Sequence, residues 1–314
     1  MNPTENPLAS GPPALQMAVQ AYRAGASAAS WILSFCDQWR LAQLGIHGVA
    51  PVSLRYRVGS FDVGTYLTAG QVSRAGIDAA LARVGRSVAG CERVLDFGCG
   101  CGRTLLWFRD AEGGTQFHGT DIDAEAIAWC QGNLPFATFG VNQPLPPLSY
   151  PDGHFDLVYA LSVFTHLSEE QQHMWIHELH RVLRPGGIAL LTFLGYHPGV
   201  RAGSGGGSVA TGPLSWTPWE LLSAGQLQEL QRRGILFVPE VKLRGLFPRG
   251  YGNTYHTHDY IREAFGRRFG LLDYQPRGLA GMLDVAVLEK SGPPSVRPLP
   301  SGASPITISP MGAS

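Results

Sequence analysis

The chain has 314 residues, of which 44% are hydrophobic and 15% charged, so it is long enough for one large domain or two ordinary ones. Its 24 basic residues balance 24 acidic ones, and this zero net charge argues against a surface for nucleic acid or anionic membranes. Apolar stretches fall short of the roughly 20 residues of a spanning helix, and no signal peptide opens the chain. With five irregularly spaced cysteines, these features predict a cytoplasmic protein with reduced thiols.

Composition separates the two ends and an N-terminal region from the rest. Residues 1–13 and 291–314 are rich in Pro, Ser and Gly and lack apolar periodicity, so we expect disordered tails. Residues 14–90 carry mostly helical patterns, with a helix predicted at 76–88 and a loop punctuated by glycines at 51–70. We interpret this N-terminal region as a helical lid in front of the main domain.

From residue 91 to residue 290, short apolar runs alternate with amphipathic helical stretches. The runs predicted as strands are 93–97, 116–120, 155–161 and 187–193, and helices are predicted from about 103, at 123–133 and at 168–183. Buried strands joined by helices are typical of a parallel sheet covered on both faces, which predicts a doubly wound α/β domain. The runs at 270–275 and 283–289 are separated by a turn too short for a parallel crossover, so they pair antiparallel or lie in different sheets.

Residues 195–257 are the largest addition to this alternation. The segment contains a flexible hinge at 202–208, a predicted helix at 217–233 and a strand pair around 235–246, and a further helix is predicted at 258–269. Long insertions on a rigid scaffold often set specificity, so we expect the segment to form the substrate pocket. Its aromatic side chains can equally form a small core of their own.

A turn with alternating glycines follows the first predicted strand of this domain. The strand ends at Phe97, and the glycines stand at 98, 100 and 102 before the predicted helix. Such glycines let a ligand approach the backbone, and the following helix N-terminus offers free amides. The next strand ends in Asp121, whose carboxylate can accept hydrogen bonds from both ribose hydroxyls of a nucleoside. The dinucleotide pattern G-x-G-x-x-G needs glycine where Arg103 stands, which disfavours a nicotinamide-dependent oxidoreductase.

These motifs match a known family. The run D-F-G-C-G-C-G at 96–102, with G-T-D-I-D at 119–123, resembles the cofactor site of class I S-adenosylmethionine-dependent methyltransferases. P-D-G-H-F-D-L-V at 151–158 and L-R-P-G-G at 183–187 are similar to the family's fourth strand and the turn before its fifth. The resemblance implies a Rossmann-like, mostly parallel sheet of seven strands that ends in an antiparallel hairpin. It also implies S-adenosyl-L-methionine as the cofactor.

The resemblance further implies which residues contact the cofactor. They are Asp96, Gly98, Cys99, Gly100, Gly102, Asp121, Ile122, Asn142 and Leu161. Asp96 and the glycine turn would contact the methionine part, and Asp121 would hold the ribose. Ile122 would pack on the adenine and Asn142 would bind the adenine amine. A metal site at Cys99 and Cys101 is the alternative for the two cysteines, but no further ligands stand at suitable spacing, so no metal is predicted.

The loop after the fourth strand holds the candidate catalytic residue. In open α/β sheets ligands bind beyond the carboxyl ends of the strands, so residues 160–167 should face the reacting methyl group. Methyl transfer from a sulfonium needs alignment above all, and a base only for a neutral protic acceptor. His166 is the candidate general base or substrate partner, because imidazole titrates near neutrality. The alternative is a histidine that only packs at the start of the next helix.

A second polar group stands late in the insertion, in the run Y-G-N-T-Y-H-T-H-D-Y at 251–260. We predict that Tyr251, Tyr255 and His256 contribute to the substrate pocket; metal binding by the two histidines and Asp259 is the less favoured alternative. The sequence therefore predicts an S-adenosylmethionine-dependent methyltransferase with a small-molecule acceptor. A cofactor-binding partner protein without catalysis stays open, as do the methylated atom and the oligomeric state.

Overall fold

The computed structural model describes residues 37, 39, 41–42, 46–60, 63–111, 114–197, 222–239 and 251–291. Both expected tails and the expected hinge lie outside the described residues.

One sheet runs through the described part of the chain. Its strands are β1 (Arg93–Phe97), β2 (Gln116–Asp121), β3 (Ala137–Val141), β4 (Phe155–Ala160), β5 (Leu183–Gly195), β6 (Ile235–Pro239), β7 (Gly252–His256), β8 (Gly270–Leu279) and β9 (Leu283–Glu289). Strands β3, β2, β1, β4 and β5 are parallel neighbours in that order. Strand β9 lies antiparallel between β5 and β8. The predicted doubly wound sheet of seven strands with a terminal antiparallel hairpin is confirmed.

Strands β6 and β7 form an additional ribbon at the carboxyl end of β5. Strand β5 pairs with β9 as far as Phe193, and its last residues, Leu194 and Gly195, pair with β7 in parallel. Strand β7 in turn pairs antiparallel with β6. The strand pair predicted around 235–246 therefore uses a partner strand that comes later in the chain, at Gly252–His256.

Helices cover the sheet, and side-chain caps begin most of them. They are α1 (Val52–Arg55), α2 (Val63–Arg83), α3 (Ala124–Asn133), α4 (Glu169–Val182), α5 (Ala224–Arg233) and α6 (His258–Gly266). The Asp123 carboxylate accepts from the first amides of α3, and Ser168 and Ser223 form capping boxes at α4 and α5. None of the described helices is long and apolar enough to cross a membrane.

Helix α2 differs from the prediction of a loop at 51–70 followed by a helix at 76–88. It begins at Val63 and continues through Gly70 and Gly76 to Arg83. A Cβ at Gly70 would collide with the Arg103 carbonyl oxygen, and one at Gly76 with the Leu279 side chain. These glycines allow close packing of a helix and do not end one, so the loop prediction is wrong from Val63 onward. It is also wrong at the short helix α1, Val52–Arg55.

The helix predicted from Arg103 is also different. The described chain forms turns there and then a short 3-10 helix, Leu105–Phe108. Gly102 has a φ of 74°, and such left-handed backbone cannot be part of a right-handed helix. Helical structure is therefore delayed beyond the glycine turn.

Two hydrophobic layers enclose the sheet. On one face, Ile77 and Leu81 of α2 pack in the same cluster as Val94 and Leu190 of the strands. On the other face, the aromatic residue Trp175 of α4 packs with side chains of β4, β5 and α6. Because both faces are buried, ligands reach the sheet at its strand ends, as is usual for open α/β folds.

Candidate functional site

The glycine turn after β1 is fastened to the end of β2. Gly98, Gly100 and Gly102 have φ values of 80°, 53° and 74°, which side chains with a Cβ rarely adopt. The amides of Gly98 and Cys99 donate to the Thr120 carbonyl oxygen at 2.8 and 3.0 Å. The chain thus turns back against the end of β2, and the side chains of Val163, Val58 and Leu134 pack closely against the three glycines.

Asp121 stands beside this turn, at the carboxyl end of β2. Its Oδ2 accepts from the Gly100 amide at 2.8 Å, and its Oδ1 accepts from the Asp123 amide at 2.9 Å. Burial raises the pKa of Asp121, and these two amide hydrogen bonds oppose that rise. Each carboxylate oxygen keeps a second lone pair, so the group can also accept two hydroxyl donors.

Ile122 and Asn142 lie beyond Asp121 at the ends of neighbouring strands. Ile122 is 47% exposed, unusual for an isoleucine that directly follows a buried strand. The Asn142 amide donates to the Asp121 carbonyl oxygen at 3.0 Å, which fixes the Asn142 backbone next to the carboxylate residue. Its side-chain Oδ1 is buried without a hydrogen-bond partner. Ile122, with an exposed apolar side chain, and Asn142, with an unsatisfied amide oxygen, are therefore the backbone neighbours of Asp121.

Asp96 is buried beneath the same turn. The Tyr159 hydroxyl donates to its Oδ2 at 3.0 Å, and the residue is 3% exposed. Burial raises the pKa of Asp96 to about 8, against the opposing effect of the Tyr159 hydrogen bond. Burial thus favours the protonated form of Asp96.

The cysteines of the turn are buried as well. Cys99 and Cys101 are 6% and 0% exposed. Burial raises the pKa of the Cys101 thiol to about 11 and that of Cys99 well above its ordinary value. Both side chains are therefore protonated thiols that pack inside the fold.

A segment of the N-terminal region lies over the turn. A Cβ at Gly100 would stand 2.6 Å from the Val58 side chain, and Arg103 donates to the Val58 carbonyl oxygen at 2.8 Å. Arg57 forms ion pairs with Asp123 at 2.7 Å and with Glu125. Residues 57 and 58 therefore lie at the side of the turn nearest to helix α3.

The loop after β4 reaches the glycine turn from the other side. A Cβ at Gly98 would collide with the Val163 side chain, so the two segments are in direct contact. Ser162 has a φ of 59°, a strained value for a residue with a Cβ, and its amide donates to the Thr192 hydroxyl at 2.7 Å. Leu161 is half-buried and packs against the core on the side of α2. The carboxyl ends of β1, β2 and β4 therefore form one site.

His166, from the same loop, pairs with Tyr251. Its Nδ1 lies 2.8 Å from the Gly252 carbonyl oxygen and its Nε2 lies 3.0 Å from the Tyr251 hydroxyl. The two rings stack with centroids 4.5 Å apart. Burial lowers the pKa of His166 to about 4. The tertiary structure thus joins two predicted site residues that lie far apart in the sequence.

The other two predicted pocket residues are buried. His256 is 0% exposed, and its Nε2 donates to Gln172 Oε1 at 2.9 Å. Burial lowers the pKa of His256 to about 3, so the ring is neutral. Tyr255 is also 0% exposed and packs in a cluster with Leu236 of the ribbon. The prediction that His256 and Tyr255 line a pocket disagrees with this placement, because adjacent residues of a strand face opposite sides and both sides of β7 are buried.

Comparison with known proteins shows which family the central part of the chain resembles. Residues 94–187 match the profile of the methyltransferase domain family. The chain is 33% identical over 105 residues to an uncharacterized methyltransferase of Synechocystis. The aligned segment covers 33% of this chain and 47% of that protein. It is 30% identical over 106 residues to an uncharacterized protein of Rickettsia prowazekii, and this segment covers 32% of this chain and 42% of that protein. The chain thus spans less than half the length of these curated relatives.

Similar solved structures include two methyltransferases with bound S-adenosylhomocysteine. The 1,6-didemethyltoxoflavin-N1-methyltransferase of Burkholderia thailandensis has a TM-score of 0.46 and 18% identity over 78% of this chain and 92% of that one. Magnesium protoporphyrin IX methyltransferase of Synechocystis has a TM-score of 0.46 and 18% identity over 76% of this chain and 92% of its own.

The strand order and the glycine turn define a Rossmann-like α/β domain. Residues 94–187 are thus similar in sequence to the methyltransferase domain family.

Proposed function

We propose that the protein binds S-adenosyl-L-methionine and transfers its methyl group to a small-molecule acceptor. The observation that carries this proposal is the buried Oδ1 of Asn142, which has no hydrogen-bond partner and belongs to a residue whose backbone amide donates to the Asp121 carbonyl oxygen. An adenosine needs an acceptor for its adenine amine, an apolar surface for the ring and a carboxylate for its ribose hydroxyls. The described residues supply all three in that order along neighbouring strand ends.

Each side chain would do a separate part of the binding. Asp121 would accept the ribose hydroxyls while the loop amides hold its orientation, Ile122 would pack on the adenine and Asn142 would accept the adenine amine. The glycine turn would hold the amino-acid part, with Asp96 beneath it. When bound, the cofactor supplies a methyl group on a positively charged sulfur, which needs only an aligned nucleophile in a site that excludes water.

The charge balance of the chain supports a small acceptor. With 24 basic and 24 acidic residues, the protein lacks the excess of positive charge that binds a nucleic-acid backbone. The contact between Val163 and Gly98 places the loop after β4 against the cofactor turn, so the acceptor would bind over that loop.

Isothermal titration with S-adenosylhomocysteine and with NAD tests the cofactor site. We expect binding of the former only. Asp121→Ala should weaken it about 100-fold, because two hydrogen bonds to a charged group are lost at roughly 1.5 kcal/mol each. Asp110→Ala, at an exposed position away from the turn, is the matched control and should bind as the wild type does. Unchanged affinity of the Asp121 variant, or tighter binding of NAD, would contradict the site assignment.

A further inference from the structure

Helices α4 and α6 enclose a groove that is separate from the glycine turn. Its volume is about 580 Å³, within the range of roughly 300–1,000 Å³ that is typical of sites for small organic molecules. The groove is lined by His173, His177 and His180 of α4 and by Arg267 and Arg268, which directly follow α6. No described residue of its lining belongs to the glycine turn or to the strand ends beside it.

The three histidines share the face of α4 that meets α6. Residues three and four positions apart lie above one another on a helix, so the spacing of these histidines places them in one row. At one end of the row, His173 Nε2 lies 3.3 Å from the Tyr260 hydroxyl. At the other end, the His180 ring lies edge to face with Phe269, with centroids 5.1 Å apart. All three rings therefore border the groove.

The two arginines bring positive charge without acidic partners. Most arginines of the described chain are in ion pairs, but neither Arg267 nor Arg268 forms one with a described residue. Glu169 also lines the groove, but it is already paired with Arg233. Within the described lining, Glu263 then faces two arginines, so positive charge is in excess.

The histidine rings respond to this positive charge. Burial lowers the pKa of His180 to about 4, and the charges of Lys290 and Arg268 act in the same direction. Burial and Arg268 also lower the pKa of His177. Because such effects require short distances, the Arg268 guanidinium lies near both rings. A neutral imidazole still has one N–H group that can donate to an anion.

We propose that this groove binds a small soluble phosphate monoester, whose phosphate is held by Arg267 and Arg268 and by the histidines of α4. The guanidinium fork matches phosphate oxygens in a bidentate manner. A phosphate monoester carries close to two negative charges at neutral pH, so it compensates both arginines, whereas a monoanion leaves one of them uncompensated. Ile176 and Ala264 line the same groove and supply apolar surface for the organic part. The inference does not depend on methyl transfer.

The first experiment compares two probes that differ mainly in charge. Phenyl phosphate and phenyl sulfate are titrated calorimetrically into the full chain at neutral pH and low ionic strength, where charges are little screened. We expect phenyl phosphate to bind about tenfold more tightly, because it forms one more charged hydrogen bond. Equal affinity of the two probes, or no binding of phenyl phosphate, would overturn the inference.

The second experiment tests the arginines. Arg268→Gln should weaken phenyl phosphate about tenfold, and the double variant with Arg267→Gln about 100-fold, at one charged hydrogen bond for each arginine. Arg232→Gln is the matched control, because Arg232 is exposed in the last turn of α5 and forms no ion pair with a described residue. The control should bind as the wild type does. Equal weakening by Arg232→Gln would show that only general positive charge attracts the probe, and would contradict the site.

The third experiment locates the probe by NMR. Phenyl phosphate should shift the imidazole resonances of His177 and His180, assigned with His177→Gln and His180→Gln, and leave those of the exposed His47 unchanged. Shifts at His47 alone would place the probe elsewhere and overturn the inference.

Competition separates this groove from the cofactor site and from a lipid site. Saturating S-adenosylhomocysteine should leave the affinity for phenyl phosphate unchanged, and displacement of the probe would overturn the inference. Binding to phosphatidic acid vesicles without binding of phenyl phosphate would assign the groove to a lipid headgroup, which would also overturn it. Failure of S-adenosylhomocysteine to bind would contradict the proposed function alone.

Discussion

Burial sets the protonation of Asp96, the carboxylate beneath the glycine turn. Its pKa is raised to about 8 in the folded protein from 3.8, the ordinary value for an aspartate. Between these two pH values the native state binds a proton that the unfolded chain has lost. The free energy of unfolding therefore falls as the pH rises across this window and is lowest above it. Such a cost is typical of a binding site, where a buried polar group is kept for its ligand.

We predict that Asp96→Asn stabilises the protein more at pH 8 than at pH 5, because asparagine keeps a hydrogen-bonding side chain without an ionisable group. The difference between the two pH values should be on the order of 2 kcal/mol in the free energy of unfolding. Urea unfolding at both pH values measures it, with the exposed Asp110→Asn as control. The same variant should bind S-adenosylhomocysteine more weakly. Wild-type and variant stabilities that run parallel with pH would contradict the raised pKa.

Among the elements, helix α2 shows how packing overrides local sequence preference. Gly70 and Gly76 weaken an isolated helix, yet α2 continues through both because each faces a close neighbour: the backbone at Arg103 and the side chain of Leu279. The first of these contacts brings α2 against the segment that follows the glycine turn. Helix α2 thereby supports the cofactor turn directly.

We predict that Gly70→Ala destabilises the protein by about 2 kcal/mol, because the added methyl group collides with main chain that cannot move aside easily. Gly132→Ala, in helix α3, is the matched control, since a Cβ there meets nothing within 4 Å. It should be neutral or stabilise by up to about 1 kcal/mol through higher helix propensity. Thermal or urea unfolding of the two variants checks both expectations. Equal effects would show that propensity, and not packing, governs these positions.

For the whole molecule, the ribbon of β6 and β7 links the end of the sheet to the acceptor side of the site. Gln172 of α4 is fully buried and donates to the carbonyl oxygens of Phe164 and Leu167 at 2.9 and 3.0 Å. Its Oε1 accepts from His256 on β7. The Gln172 side chain thus joins the loop after β4 to the ribbon, and the buried His256 supplies the ribbon's half of this connection.

We predict that Gln172→Leu destabilises the protein by about 3 kcal/mol, because buried polar groups on the loop and on His256 lose their partner. It should also raise the KM for the acceptor while leaving S-adenosylhomocysteine affinity unchanged, since the cofactor turn is not touched. Glu170→Gln, at an exposed position on the same helix, serves as control. A loss of cofactor affinity equal to the loss of acceptor affinity would contradict this separation.

Sequence patterns predicted the sheet and the glycine turn because both depend on neighbouring residues. The alternation of apolar runs and helices determines the doubly wound sheet, and the three glycines mark a turn with left-handed backbone. The glycines of α2 led to a wrong loop prediction, because the sequence alone does not show whether a glycine ends a helix or allows another segment to pack closely against it. The prediction of a pocket role for Tyr255 and His256 was wrong, because residue type does not show whether a strand's side chains are buried or exposed.

By itself, then, the sequence determined the fold class, the glycine turn, the acidic end of β2 and the place of His166 after β4. Only the tertiary structure decided the partners of that histidine. Tyr251 and Gly252 are 85 and 86 residues away from it in the chain, and they meet it because β7 pairs with the end of β5. Local patterns predict where a side chain stands along the backbone, but its hydrogen bonds, burial and pKa depend on contacts that form only when distant strands pair.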